Sequence, residues 1–175
     1  MEAEILAHPP ISGEYEEHSF VVSGNKIIWV KFMDDEYLEW VGVFEQSECG
    51  SLNTVVAVPN ENMYLVIAGG QGYFVDPNTR KITGKTIWDD IESIIYHKKS
   101  NSLIATDALR LAIFKGVELV WSGDRISADG INFTEQDGDF VCGTLNDLTS
   151  EWCKFTFNVK TRELKADWVF SENWG

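Results

Sequence analysis

The chain has 175 residues, of which 28 are acidic and 14 basic, for a formal net charge of -14 at neutral pH. Hydrophobic residues make up 44% and charged residues 24%, the balance of a folded soluble chain and not of a disordered one. An acidic field of this size repels nucleic-acid phosphates and anionic lipid, so neither nucleic acid nor membrane is expected as a partner, whereas a basic protein is attracted.

The N-terminus, Met1 to His8, carries acids where a signal peptide needs a basic region. No apolar run approaches the roughly 20 residues of a bilayer span. The three cysteines, Cys49, Cys142 and Cys153, are odd in number and form no C-x-x-C pair. That excludes a disulfide scaffold and a zinc site, and a cytoplasmic location is expected. Length fits one domain, 1–175, with a single core.

In chain order, short runs rich in Val, Ile, Phe, Tyr and Trp alternate with turn formers, which is the signal for strands. The first group, about 18–50, contains strands at Phe20-Val21-Val22, Lys26 to Met33 and Tyr37 to Phe44, with a turn at Ser23-Gly24-Asn25. Its fourth strand is expected from Ile5-Leu6-Ala7 or from Trp168-Val169-Phe170. The second group, about 51–89, aligns with the third, about 90–125, at an offset of 39. Val55 and Val56 then fall on Ile94 and Ile95, Leu65 on Ile104, and Pro59-Asn60-Glu61-Asn62 on Lys98-Lys99-Ser100-Asn101. Gly69-Gly70-Gln71-Gly72 reads as a tight turn or a bulge. Ser102 to Phe114 has a helical spacing of apolar residues, but its alignment with a strand-turn-strand unit overrules a helix. The fourth group, about 126–170, aligns with the second at an offset of 76 up to the loop Leu145 to Ser150, and at 82 after it, as one loop insertion requires.

One motif recurs across that second offset. Phe74-Val75-Asp76-Pro77-Asn78-Thr79-Arg80-Lys81-Ile82 returns in outline as Phe157 to Leu164, with Thr79-Arg80 matched by Thr161-Arg162. The separation of 82 is twice 41, close to the length of a four-stranded blade. The hairpin Phe74 to Thr79 resembles the outer hairpin of β-propeller blades, in which an apolar-x-Asp-x-x-Thr turn joins the last two strands. The Gly-His and Trp-Asp pattern of WD40 blades is missing, Trp88-Asp89 being a lone instance. The resemblance implies an all-β fold of antiparallel four-stranded meander repeats. These would form an about four-bladed propeller or a propeller-like array, as in small propeller-like bacterial proteins. A β-sandwich or open barrel is the alternative.

No nucleotide loop, zinc-protease motif or nucleophile elbow occurs, and no catalytic residue, metal ligand or cofactor is expected. His8, His18 and His97 share no ligand spacing and read as surface or partly buried side chains. Trp29 and Trp40 are equidistant from the centre of Asp34-Asp35, which places them face to face in a symmetric hairpin, as inter-sheet core or as an exposed stacking platform. Cys142 and Cys153 stand in the same relation to the loop 145–150, as buried thiols or a redox pair. Trp88, Trp121 and Trp168 recur once per later group and read as packing positions. Acidic turn tips occur at Glu14 to Glu17, Asp34-Asp35-Glu36, Asp89-Asp90 and Glu135 to Asp139, and propeller-like folds gather their tips into common rims. The candidate binding residues are therefore Trp29, Trp40, Asp34, Asp35, Glu36 and Asp147. The expected function is a non-catalytic module that binds a basic protein, in an immunity-type or scaffold role. The alternatives are a glycan or small-ligand domain using exposed Trp, and a hydrolase with a carboxylate pair.

Overall fold

A computed structural model of the chain describes residues 2–22, 26–58, 61–149 and 151–170. The expected turn Ser23-Gly24-Asn25, the Pro59-Asn60 part of the next turn and Ser150 lie outside these residues. The described residues form sixteen strands in four four-stranded sheets and no α-helix, so the fold is all-β. Among the described residues no helix is long and apolar enough to cross a membrane. The chain divides into two compact units, Met1–Asp90 and Ile91–Gly175.

The first unit holds two sheets. One contains β1 (Ala3–Leu6), β2 (Glu16–Ser19), β3 (Ile27–Met33) and β4 (Glu39–Glu45), in the order β1-β3-β4-β2. The N-terminal run supplies the missing strand here, paired antiparallel to β3, and Trp168-Val169-Phe170 is not in a strand. Two corrections apply. The strand expected at Phe20-Val21-Val22 lies earlier, at Glu16–Ser19, and it runs parallel to β4, so this sheet is not a simple meander. Pro9 and Pro10 follow β1, donate no ladder hydrogen bond and lead the chain toward β2 on the opposite edge of the sheet. The second sheet is a regular meander of β5 (Thr54–Val58), β6 (Met63–Ala68), β7 (Gln71–Asp76) and β8 (Lys81–Lys85). Between β6 and β7 Gly69 and Gly70 take φ of 57° and 89°. A Cβ on Gly69 would stand 2.4 Å from the Ser47 carbonyl oxygen, so only glycine fits.

The second unit repeats that meander twice. Its sheets are β9 (Ser93–His97), β10 (Ser102–Thr106), β11 (Leu111–Lys115) and β12 (Glu118–Ser122), then β13 (Ile131–Asp137), β14 (Phe140–Leu145), β15 (Cys153–Asn158) and β16 (Glu163–Ala166). Ser102 to Phe114 forms β10 and β11, not a helix.

The repeat extends into the backbone. Asn62, Asn101 and Gly138 occupy the same turn in the three meanders and share a left-handed φ of 50°, 49° and 57°, a conformation that Asn and Gly tolerate best. A register shift at Phe74/Val75 returns at Ile113/Phe114, 39 residues on. The duplicated hairpin is one turn built twice. Oδ1 of Asp76 accepts the amides of Asn78 and Thr79 at 2.9 and 3.2 Å, and Oδ1 of Asn158 accepts those of Lys160 and Thr161 at 3.0 and 2.9 Å. Arg80 and Arg162 then turn left-handed, at φ 58° and 64°, and donate their amides back to the carbonyls of residues 76 and 158. An Asx cap followed by a left-handed residue is the mechanism behind the shared Thr-Arg.

Each unit has its own apolar core. In the first, Val30, Phe32, Trp40 and Phe44 pack with Tyr64, Val66 and Val75. In the second, Ile104, Leu111 and Ile113 pack with Ile131, Val141, Phe155 and Phe157. Trp121 stacks on Phe157 with ring centroids 5.3 Å apart, and Trp168 packs against the same core.

Candidate functional site

Five of the six sequence-derived residues, Trp29, Trp40, Asp34, Asp35 and Glu36, belong to the first unit, where they do not gather into one site. The loop between β3 and β4 is five residues long, Asp34 to Leu38, so the ladder pairs Phe32 with Trp40 and Trp29 with Val43. Trp29 and Trp40 therefore lie on opposite faces of their sheet, because neighbouring ladder positions alternate sides. Trp40 is fully buried, stacks on Phe32 at 4.5 Å and donates its indole N–H to the Pro77 carbonyl at 3.0 Å. Trp29 is half-buried. No shared aromatic platform exists. The cysteine geometry is corrected for the same reason. The loop runs from Asn146 to Trp152, Cys142 pairs with Thr156 and Cys153 with Leu145, and all three cysteines are free thiols.

The acids of the β3–β4 loop are structural partners. Buried Asp34 accepts the amides of Leu38 and Glu36 at 2.8 and 3.0 Å and pairs with Arg80 at 3.3 Å. The Leu38 amide, helped by Arg80, holds its carboxyl below the usual range against the opposing effect of burial. Arg80 also grips Glu16, whose carboxyl is depressed first by His18 and then by Arg80. Asp35 and Asn78 exchange two hydrogen bonds, at 2.9 and 2.8 Å, which ties this loop to the Asx-capped turn. Glu36 is exposed. Asp147 belongs to the other unit and accepts the amide and hydroxyl of Thr149, whose hydroxyl lowers its carboxyl pKa. The carboxyls of Glu16, Asp34, Asp76, Asp139 and Asp147 are all shifted down, opposite to what a general acid needs.

One feature of the first unit that a ligand can enter is a cleft of about 410 Å³ beside the edge strands β1 and β5. Sites that take a small ligand occupy roughly 300–1,000 Å³. Buried Phe32 and Tyr64 line its interior, and burial raises the Tyr64 phenol with help from Glu2. Glu2, Glu4, Glu39 and Lys31 line its outer part. Glu4 stands directly across the ladder from Lys31, and Lys31 Nζ lies 2.8 Å from Glu4 and 3.2 Å from Glu39. Those two contacts, Glu4 first, raise the lysine well above its ordinary pKa, so it is a fixed cation. Three glutamates against one lysine leave the cleft negative. These residues escaped sequence reasoning because Glu4, Lys31 and Glu39 meet only through strand pairing.

Compared with known families and curated proteins, the chain matches no family model and no curated sequence. Among the described residues no three His, Cys, Asp or Glu side chains are grouped as a metal ion requires.

Charge is divided unequally between the units. Residues 1–90 carry 15 acidic and 5 basic side chains, a formal charge of -10, and residues 91–175 carry 13 and 9, or -4. The acidic character of the chain is mostly that of the first unit.

Proposed function

We propose that the protein is a non-catalytic, cytoplasmic module that binds a basic protein, in an immunity-type or scaffold role, and that residues 1–90 contain its reading surface. The observation that carries this reading is the β1–β5 cleft, with an apolar interior and three glutamates around a single lysine. A lysine or arginine side chain of the partner would lay its methylene stem on Phe32 and Tyr64 and its charge against Glu2, which makes no ion pair among the described residues. The -10 charge of this unit supports the same reading by steering a basic partner from a distance. As part of the proposal, each four-stranded sheet is a propeller-type blade, the scaffold from which such a surface projects.

The test is affinity capture from the source cell, at about 50 mM and about 150 mM salt, with wild type and the triple variant Glu2→Gln, Glu4→Gln, Glu39→Gln. Screening shortens charge interactions from roughly 14 to 8 Å over this range. Capture of a basic protein that weakens with salt and is lost in the variant is expected. A wild type that captures nothing basic, or a variant that captures as well as wild type, would sink the proposal.

A further inference from the structure

The second unit contains a cleft of opposite sign. It measures about 480 Å³ and lies where the hairpin tips of its two sheets meet. Lys99, Lys115, Lys160 and Arg162 line it, four of the nine basic side chains in residues 91–175, with one carboxylate, Asp139. Lys99 is neutralised by Asp139 at 2.9 Å. Lys115, Lys160 and Arg162 make no ion pair among the described residues, and Ile113, Val120 and Val159 supply apolar wall. Four cations against one carboxylate leave the cavity lining with an excess of positive charge, partly offset where Lys160 attracts Asp139 and Glu118 stands across the ladder from Lys115.

The cations stand on braced turns. His97 is 1% exposed and bridges two hairpins: its Nε2–H donates to the Gly138 carbonyl at 3.0 Å, and Nδ1 is 2.7 Å from the Ser100 hydroxyl. This fixes the turn of Lys99 against the turn of Asp139. The Asx cap of Asn158 holds Lys160 and Thr161, and the Val159 amide donates to the Asp139 carbonyl at 2.9 Å. The turns that carry Lys99 and Lys160 are thus fixed before any ligand arrives, so binding orders side chains and not these turns.

We propose that this cleft is a binding site for a small soluble polyanion of the phosphate class, such as a compound bearing a diphosphate, held by Lys115, Lys160 and Arg162. Arg162 offers a planar fork to two phosphate oxygens, and the two lysines offer compact charges. Two features limit the ligand to a small one. The cavity has the volume of a small-ligand site, and the -14 charge of the chain repels an extended polyanion before it can dock. Asp139 is the counter-weight within the site. Lys99, its nearest cation, holds its carboxyl below the ordinary range, so it stays ionised at neutral pH, occupies Lys99 and opposes an incoming anion.

Calorimetric titration of the full chain at about 20 mM salt, with pyrophosphate, citrate and a short single-stranded oligonucleotide as separate probes, tests this. Pyrophosphate is expected to bind, and to weaken as salt is raised to about 150 mM. Lys160→Gln and Arg162→Gln each remove a charge-assisted contact and should weaken pyrophosphate by about tenfold or more. Asp139→Asn removes a like charge and frees Lys99, and should tighten it severalfold. Opposite signs from substitutions in one cleft separate a binding effect from damage to the fold, since damage does not tighten binding. Pyrophosphate that fails to bind, binding indifferent to all three substitutions, or citrate or the oligonucleotide binding as tightly as pyrophosphate would overturn the proposal.

Discussion

Arg80 and Arg162 share a backbone conformation and differ in what their side chains do, so the same substitution should act on them in opposite directions. Both are left-handed, at φ 58° and 64°, a region in which a side chain costs about 1–2 kcal/mol relative to the right-handed form. Glycine removes that strain but gives the unfolded chain more freedom, which takes back roughly 0.5–1 kcal/mol. The net gain from Arg162→Gly is therefore about 0–1.5 kcal/mol, because the Arg162 side chain is exposed and makes no ion pair among the described residues. For a chain of this length that corresponds to a melting point unchanged or up to about 6 °C higher. At Arg80 the same relief is outweighed. Its side chain, 20% exposed, binds both Glu16 and Asp34, and the Asp34 side chain is 8% exposed, so its loss leaves a nearly buried carboxylate short of its cation. Arg80→Gly should melt below wild type. Urea denaturation followed by tryptophan fluorescence, with thermal melts beside it, measures both variants. Shifts of the same sign, or a loss of stability in Arg162→Gly, would refute the claim that these positions are equivalent in backbone and distinct in side-chain role.

Trp40→Ala should destabilise the first unit by about 3–5 kcal/mol, since it empties a fully buried site and orphans the Pro77 carbonyl. Trp29→Ala, at a half-buried position on the other face, should have a clearly smaller effect, and equal urea midpoints for the two would contradict the register. The carboxyls of Asp34, Glu16 and Asp76 are all depressed, at Asp76 because the Thr79 hydroxyl and the Thr79 and Asn78 amides outweigh burial. Their stabilisation is complete above the unfolded carboxylate values near pH 4 and is lost as pH falls through the lower folded values. The urea midpoint should thus hold from pH 7 to about 5 and drop below 4, and Asp34→Asn should lower the plateau and flatten the drop. Cys142 and Cys153 pair three ladder positions apart, roughly 10 Å along the strands, beyond the reach of a disulfide. Mild oxidation followed by mass spectrometry of the monomer should find no 142–153 crosslink.

The local grammar of this fold is readable because each meander solves its turns with the same chemistry. Asn62, Asn101 and Gly138 are small or Asx residues where φ must be positive, and Asp76 and Asn158 are Asx residues where a strand end needs a cap. Aligning like residues therefore aligns like backbone, and the strands of the last three sheets are visible before any coordinates. Register is a different matter. Placing Trp29 opposite Trp40, or Cys142 opposite Cys153, assumes that a loop is centred on its most polar residues. In the β3–β4 loop Asp34 caps from the first position and Tyr37 takes φ 62°, which extends the loop on one side only and moves the pairing by three in residue sum. The parallel pairing of β2 with β4 is invisible for a related reason: it joins residues 24 positions apart with all of β3 between them, so no single turn announces it.

The two clefts lie beyond local grammar altogether. The negative one needs Glu4 on β1 opposite Lys31 on β3 with Glu39 on β4 alongside, and the positive one gathers Lys99, Lys115, Lys160 and Arg162 from three separate hairpins. In one dimension each of those lysines is an ordinary surface charge in an acidic chain. Only the ladder registers and the hairpin-to-hairpin bridge of His97 convert scattered charges into two sites of opposite sign, one in each unit. It follows that the net charge of -14, the plainest fact of the composition, describes the first unit far better than the second. A partner search guided by net charge alone would look only for cations and would overlook the anion that the second unit is arranged to hold.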